Sequence, residues 1–157
     1  MSLVIRPPRL TGPASEPHDM QADHDAEALT TLIVDDQRSM RRIIRQLLGY
    51  INIRQTLEAQ DGQQALDLLK SPDTPWIDFI ICDLVMEGMD GLEFLNRLRH
   101  DEVLRQRHIP VLILTAEHNP LLLDVVRQVG AADIAHKPIS SPALRQKIEK
   151  LIGLKLS

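Results

Sequence analysis

Apolar residues in this chain gather into short unbroken runs separated by longer, periodic stretches. The runs occupy Thr30–Val34, residues 77–82 and residues 111–114, and a weaker one covers Asp133–His136. Unbroken apolar runs of this length are typical of strands that are buried on both faces of a sheet. Residues 54–59 are more polar, which predicts a strand at an edge of that sheet.

Between the runs, apolar side chains recur every three or four residues, which is the period of an amphipathic helix. The stripes are Met40, Ile43, Ile44, Leu47 and Leu48; Ala65, Leu66 and Leu69; Leu92, Leu95 and Leu98; Leu122, Val125, Val126 and Val129; and Leu144, Ile148, Leu151 and Ile152. Gly130 predicts the end of the fourth helix, and Ser141-Pro142 predicts the cap and first turn of the fifth. The alternation of strands and helices predicts an α/β fold with a doubly wound parallel sheet and helices on both faces.

Length and composition limit the number of domains. With 157 residues, the chain is long enough for one domain with a real core and short for two. Residues 1–28 are rich in proline and small polar residues and follow neither period. We therefore expect a disordered N-terminal tail at residues 1–28, a single domain at residues 29–157, and no separate output domain.

Net charge and cysteine content limit the possible partners and the cellular compartment. The net charge of −4 does not favour nucleic acid as a partner, and no apolar run approaches the length of a membrane span. A single cysteine, Cys82, excludes an internal disulfide and fits a reducing compartment. We therefore expect a cytoplasmic protein that binds neither nucleic acid nor membrane.

Polar residues suited to phosphate chemistry follow the apolar runs. Asp35-Asp36 follows the first run, Asp83 the central run, Thr115 the next, and Lys137 the last. Because the carboxyl ends of parallel strands share one edge of a sheet, these side chains should meet there. Taken singly, each is more readily a turn residue, a cap or a surface charge. Together, at successive strand ends, they predict a site.

Three carboxylates, a hydroxyl and an ammonium group suit a divalent cation and a phosphoryl group. Clustered carboxylates supply the oxygen ligands that Mg²⁺ prefers. An aspartate can act as a nucleophile toward phosphorus, and Lys137 and Thr115 can neutralise the oxygens of the transferred group. The pattern predicts Mg²⁺ as the cofactor and phosphoryl transfer to an aspartate as the chemistry.

The sequence lacks the motifs of two other classes of protein that bind or transfer phosphate groups. None of the glycines lies in a P-loop or dinucleotide-binding arrangement. A phosphatase of the haloacid dehalogenase type is expected to carry a second acid two residues after its nucleophile, where this chain has Val85. Turnover of an external substrate is thus disfavoured, and we expect a phosphoacceptor rather than an enzyme.

The stretch from about residue 29 to residue 152 resembles the receiver domain of two-component response regulators. The matching motifs are Ile33-Val34-Asp35-Asp36, Asp83-Leu84-Val85-Met86 with Gly88-Met89-Asp90-Gly91, Leu114-Thr115-Ala116, and Gly130-Ala131 leading to Lys137-Pro138. The resemblance implies a flavodoxin-like fold with strand order 2-1-3-4-5. It also implies a cis peptide bond between Lys137 and Pro138.

The resemblance assigns roles to the acidic residues. It implies that Asp83 accepts a phosphoryl group from a histidine kinase or a histidine phosphotransfer protein. It implies that Asp36, Asp83 and the Val85 carbonyl bind Mg²⁺ directly. Asp35 would act on the metal through water.

The switch implied by the resemblance uses Lys137, which would pair with the phosphoryl group, and Thr115, which would move toward it. The family usually has Tyr or Phe three residues before the lysine, and this chain has Ile134 there. Glu87 replaces a usual proline and adds negative charge near the acidic residues. These departures favour an alternative, a constitutive protein interaction module. A phosphate sink that drains a kinase is a third possibility.

Contact with other proteins is the expected output. The first helix carries Arg38, Arg41, Arg42 and Arg45, which form either a solvated basic face or, as the resemblance implies, a docking surface for a kinase or phosphotransfer protein. We interpret His136 as a strand residue that points away from the acidic residues. The downstream partner is unknown, and we expect a monomer or a weak homodimer.

Overall fold

Parallel strands form the centre of the fold. In the computed structural model, which describes residues 25–156, they are β1 (Thr30–Val34), β2 (Gln55–Ala59), β3 (Phe79–Cys82), β4 (Val111–Thr115) and β5 (Asp133–His136). Their order in the sheet is β2-β1-β3-β4-β5, and every neighbouring pair is parallel. This order confirms the predicted flavodoxin-like fold, with the polar strand β2 at an edge.

Helices follow the strands in alternation. They are α1 (Arg38–Tyr50), α2 (Gly62–Lys70), α3 (Gly91–His100), α4 (Pro120–Val129) and α5 (Ser141–Ile152). Side chains that accept a hydrogen bond from a free amide begin four of them: Asp61, Asp90, Asn119 and Ser140. The cap of α5 is Ser140 rather than the predicted Ser141, which lies with Pro142 in the first turn.

The core consists of two apolar layers, one on each face of the sheet. Alternate residues of the central strands, such as Leu32 and Ile80, pack with α2, α3 and α4. The intervening residues, such as Ile33 and Ile81, pack with α1 and α5. The central strands are buried along both faces, as their unbroken apolar runs predict.

The boundaries of two strands differ from the sequence prediction. Strand β3 begins at Phe79 rather than at residue 77. The reason is Asp78, whose carboxylate accepts a hydrogen bond from the Thr30 amide at 2.7 Å and so replaces a backbone acceptor at this end of the sheet. Strand β4 continues through Thr115 instead of ending one residue earlier.

Helix α4 presents a different face to the core than its predicted stripe implies. Leu123 and Val126 are buried, whereas Val125, which the stripe includes, is 41% exposed. The sequence of α4 carries apolar residues on several sides, so its period alone does not define the buried face.

The folded region starts before residue 29. Residues Ala26–Ala28 form a 3₁₀ helix, which Asp25 caps by accepting a hydrogen bond from the Glu27 amide. Ala26 and Leu29 are buried in the layer beneath α1 and α5. Residues 26–28 of the predicted tail thus form a helix that is anchored by the buried Ala26, and residues 1–24 lie outside the described part of the chain.

No helix within residues 25–156 is both long enough and apolar enough to cross a membrane.

Candidate functional site

The carboxyl edge of the sheet brings three aspartates together. Carboxylate oxygens of Asp35, Asp36 and Asp83 all lie within 4.8 Å of one another. The cause is topological, because β1 and β3 are neighbours and Val34 pairs with Cys82 at their ends. The residues that follow these two ends are the acidic ones, as the sequence pattern predicts.

Asp35 lies beneath the site and is fully buried. Its Oδ1 accepts a hydrogen bond from the Gln37 amide at 2.9 Å, and its Oδ2 accepts one from Lys137 Nζ at 2.9 Å. Its main chain is also held, because its amide donates to the Ala59 carbonyl and its carbonyl accepts from Arg41 Nη1 at 2.7 Å. Every polar group of Asp35 therefore has a partner.

Asp83 is held at both of its carboxylate oxygens. Oδ1 accepts hydrogen bonds from the amides of Leu84 at 2.7 Å and Val85 at 3.4 Å. Oδ2 accepts from Lys137 Nζ at 3.0 Å. The side chain is 12% exposed, so it reaches solvent only through the mouth of the site.

Asp36 is more accessible than its neighbour Asp35. Its Oδ2 accepts a hydrogen bond from the Glu87 amide at 3.1 Å, and the residue is half-buried. Glu87 itself is exposed. The contact joins the end of β1 to the loop after β3.

Lys137 bridges two of the carboxylates. Its side chain is 14% exposed, and Nζ donates to both Asp35 and Asp83. Burial lowers the pKa of Lys137, but the hydrogen bonds and negative charges of Asp35 and Asp83 outweigh burial and raise that pKa above its usual value. The ammonium group is therefore charged at neutral pH. The peptide bond from Lys137 to Pro138 is cis, as the family resemblance implies.

Thr115 lies at the end of β4 and is almost fully buried. Its Oγ1 accepts a hydrogen bond from the Glu117 amide at 3.1 Å. The Glu117 carboxylate accepts in turn from the amides of His118 at 3.0 Å and Asn119 at 2.9 Å. Since Asn119 caps α4, a short chain of hydrogen bonds links Thr115 to the start of that helix.

An open cleft of about 920 Å³ lies over these side chains. Its lining consists of Asp36, Gln37, Met40, Asp83, Val85, Thr115, Ala116, Glu117, His118, Lys137 and Pro138. Asp83 and Asp36 thus face the cleft, whereas Asp35 supports them from below.

The donor set suits a hard divalent cation. Three carboxylates within 4.8 Å supply oxygen ligands and a concentrated negative charge that one ammonium group only partly offsets. Mg²⁺ prefers oxygen ligands and keeps several waters, for which the open cleft has room. The residues present therefore fit Mg²⁺.

The two histidines near the site contact each other, and only His118 lines the cleft. The His136 ring is stacked on the His118 ring, with centroids 4.6 Å apart and planes 16° apart. His136 does not line the cleft, in agreement with its interpretation as a residue that points elsewhere. The contact with His118 carries no signal in the sequence, because it joins a loop to a strand 18 residues later.

The basic residues of α1 do not form one uniform surface. Arg41 and Arg45 both pair with Glu58 on β2, and Arg41 also reaches the site through Asp35. Arg38 and Arg42 are exposed. The sequence analysis left Arg41 on either a solvated basic face or a docking surface, and its contact with the site was missed because the acceptor is a backbone carbonyl.

Comparison with known proteins gives a consistent result. Residues 31–149 match the family described as the response regulator receiver domain. The chain is 39% identical over 120 residues to chemotaxis protein CheY-3 of Vibrio cholerae, covering 76% of this chain and 88% of that protein. It is 41% identical over 120 residues to chemotaxis protein CheY of Pseudomonas aeruginosa, covering 76% of this chain and 93% of that protein.

Solved structures with the same fold belong to the same group. A putative response regulator from Chloroflexus aurantiacus superposes with a TM-score of 0.69 at 25% identity, over 80% of this chain and 98% of that one. Chemotaxis protein CheY4 of Vibrio cholerae gives a TM-score of 0.67 at 28% identity, over 78% of this chain and 98% of that one. On the family match, the sequence identities and the sheet order together, this chain belongs to the response regulator receiver domain family, in its CheY-like branch, whose members act in two-component signalling.

Proposed function

We propose that Asp83 accepts a phosphoryl group in a Mg²⁺-dependent reaction and that the phosphorylated chain binds a partner protein differently. The donor would be a histidine kinase or a histidine phosphotransfer protein. The observation that carries this proposal is the bridge from Lys137 Nζ to Asp83 and Asp35 within a cluster of three carboxylates. This arrangement supports the proposal, because it would bring a nucleophile, a cation-binding site and a fixed positive charge to one point of the cleft.

Asp83 is suited to act as the nucleophile. As an oxygen–phosphorus bond to Asp83 forms, the phosphorus–nitrogen bond of the donor breaks, and the donor imidazole leaves and takes up a proton. The amides of Leu84 and Val85 hold Oδ1, which orients the carboxylate toward the cleft. When bound, Mg²⁺ would offset the negative charge on the phosphoryl oxygens. Asp36, Asp83 and the Val85 carbonyl would hold the ion directly, and Asp35 through water.

Lys137 and Thr115 would respond to the new group. Lys137 Nζ donates a hydrogen bond to Asp83 Oδ2 in the unphosphorylated chain and would donate to a phosphoryl oxygen instead after phosphorylation. The Thr115 hydroxyl would donate to another, and a movement of its side chain would break the bond from the Glu117 amide. Because Glu117 holds the amides before α4, this step would loosen the start of that helix.

An amide-resolved NMR experiment tests the proposal and its alternatives together. The protein is treated with acetyl phosphate and Mg²⁺, and the shifts of wild type and Asp83→Asn are compared. A switch predicts shifts at the cleft that extend through residues 116–119 into α4, in wild type alone. Shifts confined to the cleft would instead support a constitutive module, which the buried aliphatic Ile134 favours, or a phosphate sink.

The lifetime of the phosphoryl group is expected to depend on Val85 and Glu117. Both line the cleft, and Val85 is 61% exposed without a polar group to place a water molecule. Glu117 has a carboxylate that can do so. We expect the double variant Val85→Asn, Glu117→Ala to change the decay rate of the phosphorylated form, followed by intact mass. An unchanged decay rate would refute this dependence.

The kinase-docking role of α1 remains a proposal. The exposed residues Arg38 and Arg42 lie on the helix that starts just after the acidic pair, which is the location a docking partner of the cleft requires. Arg41 and Arg45 are less available, because both pair with Glu58.

A further inference from the structure

Two arginines of α1 share one acid, but only one of them reaches the acidic cluster. Arg41 Nε donates to Glu58 Oε1 at 2.9 Å, and Arg45 Nη1 pairs with the other oxygen of the same carboxylate. Arg41 Nη1 also donates to the Asp35 carbonyl at 2.7 Å. The described residues thus contain two arginines that share Glu58, of which Arg41 is the more buried and also contacts the main chain of Asp35.

The acceptor is the peptide group that joins Asp35 to Asp36. Its orientation sets the direction in which both acidic side chains leave the main chain at the end of β1. The guanidinium that holds it is rigid and planar, and its donors keep a fixed angle to one another. The Arg41 side chain is 14% exposed, and Glu58 anchors its opposite edge, so the fork is itself held in place.

We propose that Arg41, anchored by Glu58, is a positioning residue for cation binding: it fixes the peptide between Asp35 and Asp36 and so sets the spacing of the carboxylates. This inference rests on the proposed function, in which those carboxylates bind Mg²⁺. Arg41 touches neither the ion nor the phosphoryl group in this account. It acts only through the main chain of Asp35.

An electrostatic role and a positioning role for Arg41 predict opposite effects on Mg²⁺ affinity when Arg41 is removed. A positive charge beside a cation site repels the cation, so its loss would by charge alone strengthen Mg²⁺ binding. Loss of a group that orients the ligands weakens binding, typically by about tenfold or more. The sign of the change therefore separates a positioning role from an electrostatic one.

The test is calorimetric titration of MgCl₂ into wild type, Arg41→Met, Arg41→Lys and Arg45→Met. We expect Arg41→Met to weaken Mg²⁺ binding about tenfold. Arg45→Met loses the same Glu58 partner without touching Asp35, and its affinity should stay close to that of wild type. Arg41→Lys keeps the charge, but one ammonium cannot hold Glu58 and the Asp35 carbonyl in the fork geometry, so its binding should also be weakened.

Each outcome has one meaning. Unchanged or tighter binding by Arg41→Met overturns the positioning role and leaves the proposed function intact. Arg41→Lys keeps the test decisive should Arg41→Met fail to fold, because equal affinity in this variant and wild type also overturns it. Equal weakening in Arg45→Met would assign the effect to Glu58 instead and overturn it as well. Absence of Mg²⁺ binding by wild type would count against the proposed function itself.

Discussion

Lys137 is the residue on which the charge balance of the site depends. One ammonium group serves two carboxylates that lie 102 and 54 positions away in the chain. Burial alone would lower the pKa of Lys137, and the two acids raise it instead. A group whose pKa is raised in the folded state contributes stability fully below its ordinary pKa, and that contribution is lost as pH rises through the folded value.

We therefore predict a destabilised Lys137→Met variant whose deficit depends on pH. Its free energy of unfolding at neutral pH should fall by about 1–3 kcal/mol, because two carboxylates lose their partner. The deficit should be constant below about pH 10 and shrink above it, as wild type loses its proton. Urea unfolding of both proteins from neutral to alkaline pH measures this.

Lys70→Met is the control for the Lys137 prediction. Lys70 pairs with Asp101 at 3.3 Å but its side chain is 54% exposed, so the pair should contribute less than about 1 kcal/mol. A Lys137→Met deficit no larger than that of Lys70→Met, or one that grows at alkaline pH, would contradict the account.

At the scale of elements, the loop between β4 and α4 is held at both of its sides. Hydrogen bonds run from Thr115 through Glu117 to Asn119 at the start of α4. The stacked rings of His118 and His136 join the same loop to the end of β5. This loop is therefore the element through which a change at Thr115 would reach the rest of the molecule.

A double-mutant cycle measures the connection between the loop and β5. We predict that His118→Ala and His136→Ala are coupled by about 0.5–1 kcal/mol in the free energy of unfolding, because the rings are stacked. The variants are compared singly and together by urea unfolding under one fixed set of conditions. If the two changes in the free energy of unfolding are additive, the stack contributes nothing to stability. As a control, a cycle that uses His118→Phe in place of the native histidine should retain most of the coupling energy, because Phe can still stack on His136.

The elements themselves follow from the sequence, but their edges depend on contacts between distant residues. The buried strands and the site at their ends are predictable because apolar runs and polar strand ends are local signals. The start of β3 is set by the bond from the Thr30 amide to Asp78, and Ala26 is ordered by its burial beneath α1 and α5. Neither contact has a local pattern.

The residues of the candidate site are also predictable from local signals, but the contacts that hold them are not. The signals are local: Asp35, Asp36, Asp83 and Lys137 directly follow strands, and Thr115 is the last residue of one. The groups that hold them are mostly main-chain amides and carbonyls, such as those of Leu84, Glu87 and Glu117, and these are common to every sequence. The role of Arg41 was missed because an arginine on a helix fits a solvated basic face or a docking surface equally well.

At the scale of the whole molecule, we expect the acidic cluster to lower the stability of the metal-free protein. Three carboxylates lie within 4.8 Å, and one ammonium group offsets only part of their repulsion. A ligand that binds the folded state alone raises its stability by mass action. Mg²⁺ should therefore act on the folding equilibrium of the entire chain.

We predict that Asp36→Asn stabilises the metal-free protein by about 1 kcal/mol, because it removes one charge from the cluster. The asparagine oxygen can still accept from the Glu87 amide, so packing is preserved. Excess MgCl₂ should raise the melting temperature of wild type and leave that of Asp36→Asn nearly unchanged. Equal effects of MgCl₂ on both proteins would place the cation elsewhere.

The most direct test of the central claim is the intact mass of the protein after treatment with acetyl phosphate or a phosphoramidate. Wild type and Asp83→Asn are each treated with Mg²⁺ and with a chelator in its place. We predict one added phosphoryl group, on wild type and only with Mg²⁺. An adduct on Asp83→Asn, or no adduct on wild type under conditions that label another receiver domain, would contradict it.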